Sequence, residues 1–393
     1  MRKLLRALPR TVLLLSLISL FNDSAGELVY PLVPLYLATV LMAGPRALGL
    51  IEGVAEAVSS LVKLVAGVLA DRMRRMRIWV VCGYSLGAIA RPLLGLATSW
   101  PGVLVLRFAD RMGKGLRTAP RDALLNASVA PGQRGLAFGF HRAMDNLGAV
   151  IGPLAAAGLL AVGMPIAHIF YLAIIPALVV IALALAIPEP EVTPVLKSVP
   201  FDWRLREQSP ALRRYLLVLA LFTLGNSSNM FLLLRAHDLG VSDVQIPLLW
   251  ALMSGVAALF STHLSSLSDR LGRTRVITAG WVIYALFYLL FGLLPAQVAL
   301  LWPMFAFYGL FLAATEGAEK ALVGDLAQRE RGGTAYGWYN LVVGLMLLPA
   351  SVLFGWLWQH ITPLVAFGFS SGCALLAALL LLFWVRPQHP AAA

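Results

Sequence analysis

The feature that most constrains this chain is a recurring one. Apolar runs of about 20 residues follow one another, continuous rather than alternating, and short basic turns separate them. A run of about that length is what an α-helix needs to cross the hydrocarbon core of a bilayer. Lipid offers no partner to a backbone N–H or C=O, so only helices and closed barrels can span it. Barrel strands alternate apolar and polar residues, and these runs do not. The sequence therefore predicts an all-α membrane protein with about twelve transmembrane helices. They are placed at roughly 11–40, 47–69, 78–95, 98–113, 135–162, 165–187, 215–234, 245–267, 276–294, 297–318, 333–357 and 363–384. Composition agrees: 60% of the 393 residues are hydrophobic, only 13% are charged, and mean hydropathy is +0.82. So few charges cannot coat a water-soluble globule of this size.

The net charge of +12 would point to nucleic acid in a soluble protein. Here it reports orientation. With the N-terminus in the cytoplasm, Arg46 and Arg235 alone fall outside, while Lys63, Arg91, Arg107, Arg111 and Arg142 lie within spans. The rest of the 31 basic residues fall inside, as the positive-inside rule requires. The reading is a multi-pass plasma (inner) membrane protein with both termini cytoplasmic, a lipid bilayer for partner and no nucleic acid. The first run is too long for a cleaved signal peptide and contains Asn22, Asp23 and Glu27, so it reads as a retained helix. Cys82 and Cys373 sit in apolar runs without metal-site spacing. The polar stretch 188–214, with Pro188, Pro190, Pro194 and Pro200, reads as a linker between a six-helix bundle at 1–187 and another at 215–393.

The two halves repeat. Gly67-Val-Leu-Ala-Asp71-Arg72 follows the second span, and Ser265-Ser-Leu-Ser-Asp269-Arg270-Leu-Gly272-Arg273 follows the eighth, 198 residues later. Ala137-Phe-Gly-Phe140 and Ala335-Tyr-Gly-Trp338 keep the same interval. Parallel six-helix repeats place a substrate site near the midplane, between the halves. On these residues the chain resembles the major facilitator superfamily, whose signature between helices 2 and 3 reads G-x-x-x-D-[RK]-x-G-[RK]. The first copy supplies Gly67, Asp71, Arg72 and Arg75, with Arg74 where the second Gly belongs. The second supplies Asp269, Arg270, Gly272 and Arg273, with Ser265 for the first Gly. The resemblance implies a transporter that rocks one half against the other, with these residues gating the motion. Small residues let helices approach closely, and the Asp can pair with an Arg or face a helix N-terminus. An ordinary basic turn is the plainer alternative.

Two further likenesses refine that expectation. Arg111-x-x-Lys114-Gly115-x-x-x-Ala119 is similar to the family's R-x-x-Q-G-x-x-x-A pattern in the fourth span, which implies a proton-coupling role for Arg111. Arg107 competes for that role, and a snorkelling Arg is the alternative. In the fifth span Gly148-Ala-Val-Ile-Gly152-Pro153, with Gly158 beyond, resembles the G-x-x-x-G-P…G pattern of the family's exporters. Gly148 and Gly152 would let helices pack closely and Pro153 would add a bend. The resemblance thus implies antiport, hence efflux.

An ionisable residue at bilayer depth is costly, so each is a functional candidate. Asn22, Asp23 and Glu27 cluster in the first span. The two carboxylates are four residues apart and share a face. Such a pair has the property a proton-coupling site needs; a structural pair satisfied by Arg142 or Arg91 is the alternative. The fifth span supplies His141, Arg142, Asp145 and Asn146. A His beside an Asp suits proton exchange near neutrality, and a salt bridge that merely holds the first half together is the competing view. In the family fold helices 1 and 5 both line the cavity, so the resemblance implies that the two clusters face each other. The seventh span carries Asn226-Ser-Ser-Asn229-Met230, neutral where the first span is charged. That suits one coupling wall and one substrate wall. Glu316, Glu319 and Lys320 read as a helix-end ion cluster.

No phosphate loop, H-E-x-x-H or nucleophile elbow occurs, so the expectation is no enzyme and no cofactor, with transport driven by an ion gradient. The leading expectation is a proton-coupled exporter of a small organic solute or drug, working as a monomer by alternating access, with protons and the small molecule as its partners. An alternative is export of a divalent metal or metal chelate through Asp23, Glu27, His141 and Asp145, which are hard or borderline donors; no resident metal site is expected. A non-transporting membrane sensor is a third possibility, which the short linker and tail disfavour.

Overall fold

A computed structural model describes residues 8–70, 76–129, 134–188, 205–293, 297–327 and 332–385. Among these the regular structure is helical throughout. In chain order the helices are α1 (Arg10–Val29), α2 (Leu32–Leu35), α3 (Pro45–Ala70), α4 (Met76–Leu93), α5 (Trp100–Ala127), α6 (Arg134–Ala161), α7 (Ile166–Leu172), α8 (Ile174–Leu185), α9 (Pro210–Gly225), α10 (Met230–Asp238), α11 (Gln245–Leu271), α12 (Arg273–Leu293), α13 (Val298–Leu326), α14 (Gly332–His360) and α15 (Pro363–Trp384). A π-helical turn, Tyr36–Val40, continues α2. Nine helical stretches are long and apolar enough to cross a membrane, among the described residues.

Local chemistry sets the helix ends. At α9 the Ser209 hydroxyl accepts from the Leu212 N–H at 3.1 Å, and Pro210 occupies the first turn, where its missing N–H costs nothing. Thr362 caps α15 the same way, accepting from Val365 N–H at 3.2 Å ahead of Pro363. Gly272 separates α11 from α12 with φ of 92°, a backbone region open to glycine.

Several expected boundaries shift. The overlong first run is broken at Pro31, which cannot supply the next helical N–H. The sixth splits at Ala173 into α7 and α8, and the seventh opens at Asn226–Asn229 between α9 and α10. The fourth, expected to end at 113, runs on as α5 to Ala127. Lys114, Arg117 and Arg121 are therefore helical rather than in a cytoplasmic loop. Hydropathy falls there, but Leu, Lys, Arg and Ala are good helix formers. For the same reason α13 carries Glu316, Glu319 and Lys320 inside it. Of the linker, 189–204 lie outside the described residues, and 205–214 form a 3₁₀ turn followed by the start of α9.

The chain divides into two compact units. The first takes the described residues up to Ala43, Val54–Val199 and Val241–Ala251; the second takes Gly44–Gly53, Pro200–Gly240 and those from Leu252 onward. The cuts inside α3 and α11, at Gly53 and Ala251, keep the 198-residue interval of the sequence repeat. In the first unit α1 lies along α6 and α8, and α4 along α5, around Val12, Leu15, Val80, Tyr84, Leu124 and Val180. In the second, α12 lies along α15, with an aromatic interior of Tyr284, Tyr288, Phe291, Phe305, Tyr308 and Phe367. Outward positions are apolar as well: Ile175, Leu217, Leu259 and Phe383 are all exposed. That pattern belongs to a surface bathed in lipid.

Candidate functional site

In the first unit the acidic cluster of α1 meets α6. The contact depends on glycine: a methyl at Gly148 would stand 2.6 Å from the Leu20 carbonyl oxygen and 3.1 Å from the Asp23 Cβ. One at Gly152 would stand 2.6 Å from the Leu28 backbone nitrogen. Pro153 lies within α6 beside them. This close approach lets the Ser19 hydroxyl donate to Asp145 Oδ1. His141 Nε2 lies 3.7 Å from the same oxygen, too far for a hydrogen bond, and among the described residues neither ring nitrogen of this buried residue has a hydrogen-bond partner. Arg142, one residue on, is exposed.

The α1 carboxylates are held by uncharged donors. Asn22 Nδ2 donates to Asp23 Oδ1 at 2.8 Å, and the Trp250 indole N–H donates to Glu27 Oε2 at 2.6 Å. Trp250 also stacks on Tyr30, ring centroids 4.6 Å apart. Arg91 passes beneath this layer: its Nη1 donates to the Asn22 carbonyl at 2.7 Å and to Asn22 Oδ1 at 3.0 Å, while its Nε pairs with Asp110 at 3.0 Å. Asp110 is also 3.6 Å from Arg107. The three residues are all buried, so this triad is a buried ion cluster in which one carboxylate serves two guanidiniums. Arg111 pairs with Glu56 at 3.1 Å. Arg117 lies over the Tyr84 ring at 4.6 Å and leaves Nη1 buried without a partner.

In the second unit the interruption between α9 and α10 is a polar node. Tyr308 donates to Asn229 Oδ1 at 2.9 Å, the Asn226 N–H bonds the Thr223 carbonyl at 3.0 Å, and Ser228 donates to Glu52 Oε2 at 3.4 Å. Glu52 itself is buried.

Of the expected gating residues, Asp71, Arg72 and Arg75 lie outside the described residues, and Gly67 is in the last turns of α3. Asp269 is helical, Arg270 is exposed and Gly272 makes the turn. Arg273 pairs with Asp325 at 2.9 Å and donates to the Ala321 carbonyl. Among the described residues no group of three or more His, Cys, Asp and Glu side chains is placed to hold a metal ion.

Sequence reasoning passed over Asp110, Trp250 and Ser19. A signal for Asp110 existed: Arg107, Asp110 and Arg111 put three charges within five residues of an apolar run. Trp250 and Ser19 carried none, because an indole or hydroxyl in a membrane span is unremarked until its partner is known.

The model of the Major Facilitator Superfamily matches residues 13–235 and again 215–393. The chain belongs to the major facilitator superfamily. It is 36% identical over 386 residues to an uncharacterised MFS-type transporter of Methanocaldococcus jannaschii, covering 96% of each chain. It is 29% identical over 281 residues to the multidrug resistance protein MdtG of Citrobacter koseri, covering 67% of this chain and 68% of that one. A crystal structure of a POT family transporter in complex with 5-aminolevulinic acid superposes with a TM-score of 0.81 at 14% identity, over 96% of each chain; that likeness concerns the fold. The chain is thus a multi-pass membrane transporter of the MFS type.

Proposed function

We propose that this transporter is a proton-coupled exporter of a small organic solute, working by alternating access as a monomer in the plasma membrane. Both termini are cytoplasmic in this reading, and two six-helix halves, 1–187 and 215–393, are joined by the linker 188–214. Twelve spans arise when α3, α5 and α11 are added to the nine apolar stretches. The first two carry Glu52, Glu56, Lys63, Arg107, Asp110, Arg111 and Lys114, charges that lower their hydropathy and give them work inside the membrane.

The observation that carries proton coupling is the pairing of the α1 and α6 carboxylates. Asp23, Glu27 and Asp145 accept from Asn22, Trp250 and Ser19, all uncharged, while Arg91 is committed to Asp110. Asp23 and Glu27, whose hydrogen-bond donors are uncharged, can take up and release a proton without breaking a direct bond to a cation. Protonating Glu27 weakens the hydrogen bond from Trp250, because a charged acceptor binds more strongly than a neutral one. The proton thereby loosens the 241–251 segment from the unit that holds it. Asn226 and Asn229 supply neutral polar groups for a solute, Arg111 positions Glu56, and the Asp-Arg turns at 71–75 and 269–273 gate. Export follows from the Gly148-Gly152-Pro153 pattern and from the name of the MdtG relative.

Liposomes holding the purified chain and an internal pH dye test this reading. Ethidium, fluorescein and divalent zinc are added in turn to wild type and to Asp23→Asn. Proton flux evoked by one organic probe and lost in the variant is expected. Flux evoked by zinc alone makes the cargo a metal. Solute flux without proton movement, unchanged by the substitution, overturns coupling through Asp23.

A further inference from the structure

The second unit contains a carboxylate that the coupling site above does not use. Glu319 lies on α13, about two turns from its C-terminal end. Its Oε1 accepts from the Trp281 indole N–H of α12 at 2.9 Å, and its Oε2 accepts from the Tyr339 hydroxyl of α14 at 3.2 Å. Trp281 is fully buried and stacks flat on Phe222 of α9, centroids 4.3 Å apart, so the indole is fixed from both sides. The nearby cation is committed elsewhere: Lys320 pairs with Glu316 at 3.0 Å on the outer side of the same helix. No ion-pair partner of Glu319 lies among the described residues.

A second polar group points to exchange at this place. Tyr215 of α9 is fully buried, and its hydroxyl has no hydrogen-bond partner among the described residues. It interacts electrostatically with both Glu319 and Tyr339. A carboxylate that changes protonation alternately needs a donor and an acceptor beside it, and a tyrosine hydroxyl is both. The groups facing Glu319 are thus Trp281, Tyr339 and Tyr215 from the packed helices, and Glu316 and Lys320 from its own.

We propose that Glu319 is a second proton-carrying group, set in the C-terminal unit and served by Tyr339 and Tyr215, so that each unit carries its own protonatable carboxylate. This rests on the reading of the chain as a proton-coupled transporter. It adds a protonatable carboxylate to the neutral polar groups of the seventh span, so that both repeats bind a proton. The balance is simple: one proton leaves the carboxyl oxygen for water on the side to which the site is open, and one returns from water in the opposite state.

The test needs no transported solute. The full chain, reconstituted in vesicles, is followed by infrared difference spectroscopy as pH rises through the neutral range. The expected result is a protonated-carboxyl C=O band that disappears with rising pH in wild type and is missing from Glu319→Gln. Glu316→Gln retains it. Tyr339→Phe and Trp281→Phe keep the carboxyl but remove one donor each, and both displace the transition. Identical carboxyl bands in wild type and Glu319→Gln overturn the proposal, as do transitions unmoved by both aromatic substitutions; Glu319 is then only a clasp between α12, α13 and α14. Because the band is read without solute, this failure is separate from a failure of Asp23→Asn to abolish coupled flux.

Discussion

At the scale of single residues, the first unit sorts its charges into two kinds. Asp110 is bound to Arg91 and Arg107 with all three buried, so removing its charge strands two guanidiniums in low dielectric. Asp110→Asn should destabilise the protein by about 3–5 kcal/mol, read as a lowered melting temperature in detergent. A melting point within error of wild type would show that water or lipid phosphate already neutralises the pair. Glu27 is the other kind. Its partner is an indole 2.6 Å away, and Glu27→Gln and Trp250→Phe each delete the same charge-assisted bond. Their combined effect on stability should fall short of the sum by about 0.5–3 kcal/mol; strict additivity would mean that the two side chains act independently. The charges themselves were legible in the sequence, since any ionisable residue in an apolar run stands out. Their sorting was not, because the partners of Asp23, Glu27 and Asp110 come from helices distant in the chain.

At the scale of elements, the apolar runs showed where helices lie but not where they stop. Hydropathy fades at Lys114 and near Glu316, yet α5 and α13 continue to Ala127 and Leu326, because backbone hydrogen bonding is indifferent to whether a side chain is charged. Breaks at Pro31 and at Asn226–Asn229 fall on residues that disfavour a helix interior, and both were visible as unusual residues without a visible consequence. The glycine pattern of α6 was more informative. Gly148 and Gly152 meet backbone atoms of α1, whereas Gly158, one turn and a half further on, has nothing within 4 Å of its missing Cβ. Two substitutions on one helix should therefore diverge. Gly152→Leu must push α1 and α6 apart and should cost about 1–3 kcal/mol, while Gly158→Leu should stay within about 0.5 kcal/mol of wild type. Thermal melting of both variants in the same detergent decides it. Equal losses would mean that helix propensity rather than packing sets the effect.

At the scale of the whole molecule, the repeat, the basic turns and the helix order converge on one orientation. The turn between α11 and α12 carries Arg270, Arg273 and Arg275 around Gly272, while the turn after α6, at Gly163, has no Lys or Arg between Arg142 and the end of α8. Short loops rich in Lys and Arg stay cytoplasmic, so the proposed topology expects these two turns on opposite sides of the membrane. Val162 and Leu271 flank them, at 77% and 52% exposure, and a cysteine at either position reports the side on which its turn lies. The natural thiols, Cys82 and Cys373, are first replaced by serine. In intact cells a membrane-impermeant maleimide should then label Val162→Cys and leave Leu271→Cys untouched until the membrane is permeabilised. The reverse pattern would invert the transporter and exchange the sides on which Asp23 and Glu319 meet water, against the orientation that the basic turns imply. Labelling of both positions without permeabilisation would break the twelve-span topology itself, since that topology puts three crossings, an odd number, between the two turns.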